Sequence, residues 1–242
     1  MRVAVVSDIH SNLHALEAVL AAIDAEAPDE LWWLGDLVGY GPRPNECCAT
    51  IAERADVCLA GNHDLAVRGT IDLEEFGGEA GIAATWTRTV LEPEAQKLLD
   101  GLEPAGAAHG VALYHGSARD PVWEYVLSDE SALATLELAD APLVLVGHSH
   151  VALEVVQSNG DLTGGVAAAG RDLELEGVRA LLNPGSVGQP RDGDPHAAYL
   201  LLDLEARRAS FRRVEYDVAR TQREMREAGL PELLAARLEL GM

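Results

Sequence analysis

The chain has 242 residues, 48% of them hydrophobic, and a mean hydropathy of +0.02, which suits a soluble globule of one large or two small domains. No run approaches the ~18 apolar residues of a membrane span. The N-terminus enters a strand pattern at once, Met1-Arg2-Val3-Ala4-Val5-Val6, without an apolar leader, so the expected location is cytoplasmic. With 40 acidic against 18 basic residues the net charge is −22, which excludes a surface that tracks long nucleic acid or an anionic membrane, since phosphate binding needs a basic footprint.

Cys47, Cys48 and Cys58 are odd in number and form no C-x-x-C pair, so buried free thiols are expected rather than a disulfide frame or a thiolate zinc site. The chain opens with an apolar run at 3–6. Ser11 or Asn12 then caps a helix over 13–25, in which Leu13, Leu16, Leu20 and Ile23 keep helical spacing. Residues 30–34 form a second strand, a short apolar run that ends in Gly35-Asp36 and reads as buried on both faces. Pro44 opens a second helix carrying Cys47, Cys48, Ile51 and Ala52, and a strand at 57–60 follows. This β-α-β-α-β order predicts parallel strands with right-handed crossovers.

Residues 65–102 read as an irregular helical insertion, interrupted by Gly69, Gly77, Gly78 and Gly81, and are the expected cap. Next come a strand at 111–114, a loop at 116–125, a helix from the Ser128 cap to Leu138, and a strand at 143–146. Segments 151–157 and 162–168 read as a hairpin turning at Asn159-Gly160, with further strands at 178–182, 198–202 and 210–214. This second half is expected to build a more antiparallel sheet packed face to face on the first. Asp217 caps a helix that Gly229 ends and Pro231 opens another, giving C-terminal helices over 217–240. The apolar spacing of 230–240 is expected to bury against its own domain rather than a second copy. With no linker or repeat, one domain over 1–242 is predicted, an α/β fold of two packed sheets flanked by helices.

Five of the eight histidines, His10, His63, His115, His148 and His150, lie just beyond apolar strand candidates, whereas His14, His109 and His196 do not and read as structural or surface groups. In an open α/β sheet, ligands gather beyond the carboxyl ends of strands, and Asp36 emerges at such an end. Alone, each motif has an ordinary explanation: Asp8-Ile9-His10 as an Asx turn, His115 as a core-edge histidine, Asn62-His63-Asp64 as a turn. His148 and His150, spaced i and i+2 beyond an apolar strand, can point the same way and are harder to explain as ordinary core or turn residues. Together these residues predict a site in which Asp36 is shared by two metal ions. Imidazole, carboxylate and amide oxygen suit divalent Mn, Fe, Co, Ni or Zn.

In this order, Asp8-Ile9-His10, Gly35-Asp36, Gly61-Asn62-His63-Asp64, His115 and Gly147-His148-Ser149-His150 resemble the calcineurin-like metallophosphoesterase superfamily. Asp8-Ile9-His10-Ser11-Asn12, the Gly35–Gly41 stretch and the run from Asn183-Pro184-Gly185 to Pro190-Arg191 are similar to its small bacterial and archaeal phosphodiesterase-like branch. The resemblance implies a four-layer α/β/β/α sandwich of two mixed sheets. It implies a first ion held by Asp8, His10, Asp36 and His150, and a second held by Asp36, Asn62, His115 and His148, manganese being favoured. His63 is then off the metals and near the leaving group. The implied reaction is in-line attack on phosphorus by a hydroxide shared between the ions, on a small phosphodiester or nucleotide-like ester.

Asp64 either orients His63 or caps the following turn. Arg191 is either a phosphate clamp or a surface ion pair, and Asn183 is a further candidate to face the substrate. The related protein phosphatases follow Gly-Asp with an Asp-Arg pair, where this chain reads Leu37-Val38-Gly39-Tyr40-Gly41, which argues against phosphoprotein substrates. A scaffold that has lost catalysis is the other competing reading, yet none of the seven ligand positions is replaced.

Overall fold

Trp32 and Trp33 are adjacent on β2 (Glu30–Trp33) and both are fully buried. Successive strand side chains point to opposite faces, so this strand needs a core on each side. The computed structural model, which describes residues 1–242, supplies both. Trp32 packs with Val3, Val5, Leu113, Leu145, Leu182, Leu200 and Phe211 between two sheets, whereas Trp33 joins Ala4, Val6, Leu16, Val19 and Ile51 under helices. Emptying either tryptophan site by truncation to alanine would cost about 3–5 kcal/mol.

The first sheet contains β1 (Arg2–Val6), β2 and β3 (Val57–Cys58), all parallel, and is covered by α1 (Leu13–Glu26) and α2 (Pro44–Arg54). Asn12 caps α1 by accepting from Ala15 N–H at 3.2 Å. A helical insertion follows: α3 (Asn62–Arg68), a 3-10 turn at Leu73–Glu75, α4 (Gly78–Val90) and α5 (Pro93–Asp100). It begins at Asn62 rather than at residue 65, so Asn62, His63 and Asp64 form the first helical turn.

The second sheet is built from β4 (Ala105–Ala108), β5 (Val111–Tyr114), β6 (Leu143–Leu145), β7 (Ala152–Ser158), β8 (Asp161–Val166) and β10 (Arg179–Pro184), with α6 (Asp129–Leu138) on its outer face. Ser128 caps α6 as expected, and the β7–β8 hairpin turns at Asn159 and Gly160, both with positive φ. Between β8 and β10 lies the short β9 (Asp172–Glu174).

The division of the chain between sheets differs from the expectation. β11 (Ala197–Asp203) and β12 (Arg208–Val214) return to the first sheet, β11 antiparallel to β1 with Val3 opposite Leu202, and β9 pairs with β12 at its edge. The second sheet in turn holds three parallel strands, β5, β6 and β10. Both sheets are therefore mixed and six-stranded, ordered β3-β2-β1-β11-β12-β9 and β4-β5-β6-β10-β7-β8. β11 is apolar on both faces, with Leu200 and Leu202 between the sheets and Tyr199 and Leu201 under the helices. It can therefore serve as an interior strand of the first sheet.

Asp217 caps α7 (Val218–Glu227), and α8 (Glu232–Ala236) runs into a 3-10 turn at Arg237–Glu239. Leu230, Leu234 and Leu238 bury against Tyr40, Ala83 and Met225 of the same chain. No helix is long and apolar enough to cross a membrane.

Candidate metal centre

The carboxyl ends of β1, β2, β5, β6 and β10, together with the N-terminus of α3, open on one cleft. At those ends the backbone turns left-handed at Asp8, His10, Asp36, His148 and His150, with φ of 53°, 49°, 55°, 64° and 60°. Each such non-glycine residue costs ~1–3 kcal/mol and persists only where surroundings hold it. Here the turns bring Asp8 and His10, spaced i and i+2, into one group of donors, and send His150 to that group and His148 to a second.

Two groups of donors result. Asp8, His10, Asp36 and His150 have ligand atoms within 4.8 Å of one another, as do Asp36, His115 and His148, all buried. Asn62 Oδ1 lies 3.2 Å from His115 Nε2, beside the second group. Asp36 belongs to both: its Oδ2 is 3.5 Å from His10 Nε2 and 3.6 Å from His115 Nε2. Its Oδ1 accepts the N–H of His63 at 2.9 Å, which fixes the carboxylate between the groups. Gly61 permits this approach, because a Cβ there would stand 2.0 Å from Asp36 Oδ1.

Each imidazole is held through its other nitrogen. His10 Nδ1 donates to Val38 O at 3.1 Å, His115 Nδ1 to Leu34 O at 2.9 Å, His150 Nδ1 to Gln189 O at 2.6 Å and His148 Nε2 to Trp123 O at 3.2 Å. Carbonyl partners of this kind fix the tautomer and leave the opposite nitrogen with a lone pair.

His63 stands beside this cluster, lining a cavity of about 190 Å³ with Asp36, Asn62, His148, His150 and Arg191. Its Nδ1 is buried without a hydrogen-bond partner, and a Cβ on Gly39 (φ +87°) would lie 2.5 Å from it. An unpaired N–H there would cost more than an unpaired lone pair, so the ring proton belongs on Nε2, the nitrogen left to meet a substrate. Burial, then the charges of Arg191 and His148, pushes the His63 imidazole down to about 3.

Asp64 does not orient His63. Its Oδ1 accepts from Leu37 N at 2.9 Å and Val38 N at 3.1 Å, and its Oδ2 from Gly61 N at 2.9 Å, so it is the cap and brace of the two ligand loops. Asn183 does not face the cavity: it is fully buried, donates to Gly147 O at 2.7 Å and Ser149 Oγ at 3.0 Å, and accepts from Gly185 N. Its amide shapes the loop that carries His148 and His150.

Arg191 lines the cavity and makes no surface ion pair. Its guanidinium donates to Gln189 Oε1 at 2.9 Å and Tyr40 Oη at 3.3 Å, and sits 5.7 Å from the Tyr40 ring centre. The backbone there is anchored by Arg191 N–H to His150 O at 3.1 Å and by the buried Asp192–Arg213 pair. Tyr40, Phe76, Trp123 and Tyr125 also line the cavity and were not singled out as site residues by the sequence. The aromatic between two glycines in Gly39-Tyr40-Gly41 is the one local signal that pointed to any of them.

The family model for the calcineurin-like phosphoesterase superfamily domain matches residues 1–207. The chain belongs to this superfamily. An uncharacterized protein of Methanocaldococcus jannaschii is 38% identical over 244 residues, covering 99% of this chain and 98% of that protein. The solved metallophosphoesterase of Sphaerobacter thermophilus superposes with a TM-score of 0.90 at 41% identity, covering 100% and 99% of the two chains. The phosphodiesterase YfcE of Escherichia coli is 28% identical over 209 residues, 84% of this chain and 88% of its own.

For a calcineurin-like phosphoesterase, the Asp/His cluster implies divalent metal ions, and the donors fit them. His10 Nε2 and His150 Nε2 stand 3.0 Å apart, and since both Nδ1 atoms donate to carbonyls, two lone pairs face each other. Asp8 Oδ1, 3.4 Å from His150 Nε2, is buried with no hydrogen-bond donor. Burial pushes the Asp8 carboxyl up to about 7, and burial with the charges of Asp64 and Asp8 lifts Asp36 well above the usual range. Burial likewise holds His10 and His150 neutral and takes His115 and His148 down to about 3. A divalent cation between these groups favours both ionised carboxylates and neutral imidazoles at once.

Proposed function

We propose that the protein hydrolyses a small phosphodiester or nucleotide-like phosphate ester with two divalent ions, manganese by preference. Asp8, His10, Asp36 and His150 would hold one ion, and Asp36, Asn62, His115 and His148 the other. The observation that carries this reading is the position of Asp36 Oδ2, almost equally far from His10 Nε2 and His115 Nε2. When bound, the ions supply Lewis acidity and activate water.

Arg191, aimed by Gln189 and Tyr40, places a fixed positive charge on the cavity wall where it can grip a non-bridging phosphoryl oxygen. His63 directs its Nε2 N–H at the departing oxygen as a neutral hydrogen-bond donor, and losing one such donor costs ~10²–10³ in rate. Leu37 and Val38 are fully buried and bring no charge to the site, which favours a small ester over a phosphoprotein. The diester preference is supported by the Escherichia coli relative being a phosphodiesterase and by a single guanidinium in the cavity.

The test is hydrolysis of bis(p-nitrophenyl) phosphate and p-nitrophenyl phosphate by protein loaded with Mn²⁺. The reading predicts at least about tenfold higher kcat/KM for the diester, a difference of ~1.4 kcal/mol in transition-state binding. Preference for the monoester would overturn the substrate class. No turnover of either with Mn²⁺, Fe²⁺, Co²⁺, Ni²⁺ or Zn²⁺ would overturn the hydrolase.

A further inference from the structure

Three rings in the cavity have no part in the chemistry above. Phe76 follows the 3-10 turn of the helical insertion, and Trp123 and Tyr125 come from the loop at 116–125. Phe76 meets His63 edge-on at 4.8 Å between ring centres and Trp123 at 5.4 Å. Tyr125 lies flat on His148, 4.1 Å away with 5° between planes. None of the three belongs to any of the apolar cores, and Trp123 and Tyr125 are 37% and 46% exposed. Aromatic side chains grouped in an open, polar cleft rather than packed in a core mark a place where an apolar surface is met by something else.

The rings are in place before a ligand arrives. Asp120 Oδ1 accepts from Val122 N and Trp123 N at 3.0 Å, Ser117 and Arg119 both bind Glu124, and Trp123 O receives the His148 proton at 3.2 Å. Preorganised rings lose little entropy on stacking. Glu75, exposed on the same wall, offers a carboxylate acceptor for sugar hydroxyls.

We infer that Phe76 and Trp123 form a stacking subsite for a planar base beside the phosphate position, so that the substrate is a nucleoside phosphodiester. The inference rests on the hydrolase reading and narrows it. A stacked base contributes a several-fold to hundred-fold gain in affinity irrespective of base identity.

Calorimetric titration of the Mn²⁺-loaded protein with adenosine 5′-monophosphate and with ribose 5-phosphate tests it, because the two share the phosphate and differ in the base. The expected result is at least about tenfold tighter binding of the nucleotide. Trp123→Ala and Phe76→Ala should each erase most of that advantage while leaving ribose 5-phosphate affinity unchanged, and Trp123→Phe, which keeps a ring, should retain it. Equal affinities in the unaltered protein would overturn the subsite, and turnover of bis(p-nitrophenyl) phosphate in the same preparation would show that the hydrolase reading survives. An advantage that persists in both alanine variants would place the base elsewhere and likewise overturn it. Failure to bind either phosphate, with no turnover, would overturn both readings.

Discussion

Asp64 accepts the main-chain N–H of Leu37 at 2.9 Å, and with it those of Val38 and Gly61, across the gap between the β2 and β3 loops. One fully buried carboxylate therefore ties the backbone that follows Asp36 to the backbone that precedes Asn62 and His63. Asp64→Ala strands three buried donors, each costing ~1–3 kcal/mol when unpaired. It should lower unfolding stability by roughly 3 kcal/mol or more, and Asp64→Asn, which keeps one acceptor, by clearly less. Urea unfolding of the two variants measures this; equal, small effects would mean the brace does little.

The contact of Gly39 with His63 separates positioning from metal binding. Gly39→Ala would place a Cβ 2.5 Å from His63 Nδ1 at a φ of +87° and so displace the ring. It should lower kcat toward that of His63→Asn, a loss of about 10²-fold or more, with metal content unaltered. Steady-state kinetics paired with elemental analysis checks this, and full kcat in Gly39→Ala would remove His63 from the proposed role.

Glu224 on α7 sets part of the acid stability. Its carboxylate is joined to Arg43 at 2.9 Å and His14 at 3.1 Å, and the hydrogen bond from Arg43, followed by that from His14, holds it down to about 2. A depressed carboxyl stabilises the fold above its unfolded value near 4.5, and that stability is lost as pH falls from there toward 2. After screening by solvent the contribution is on the order of 2 kcal/mol. Wild type should exceed Glu224→Gln in urea midpoint at pH 6, and the two curves should converge near pH 2. A gap independent of pH would contradict the linkage.

The site was more legible in the sequence than the sheet order. Ligand positions were visible because imidazoles and carboxylates clustered at strand ends, where apolar periodicity stops and the backbone turns to positive φ at Asp8, His10, Asp36, His148 and His150. β4 escaped because Ala105-Gly106-Ala107-Ala108 has no β-branched or aromatic residue, although His109 and Gly110 (φ of 48° and 79°) make the same kind of turn as Asn159-Gly160. β9, three residues long, falls below any periodicity. The placement of β11 beside β1 is a long-range pairing, and no local pattern records which partner an apolar strand will choose. Asp64 stayed open between two readings, and Asn183 misled, for a related reason: a buried polar side chain serving backbone N–H and C=O groups has the same local sequence as one facing a ligand.

The central claim is that Asp36 joins two ion sites. Elemental analysis after reconstitution with Mn²⁺ and removal of free metal tests it most directly. The account predicts about two ions per chain in the wild type, as in a two-metal site, and less than one in Asp36→Asn of unchanged circular dichroism. Equal metal content in the two proteins, or none in either, would contradict it.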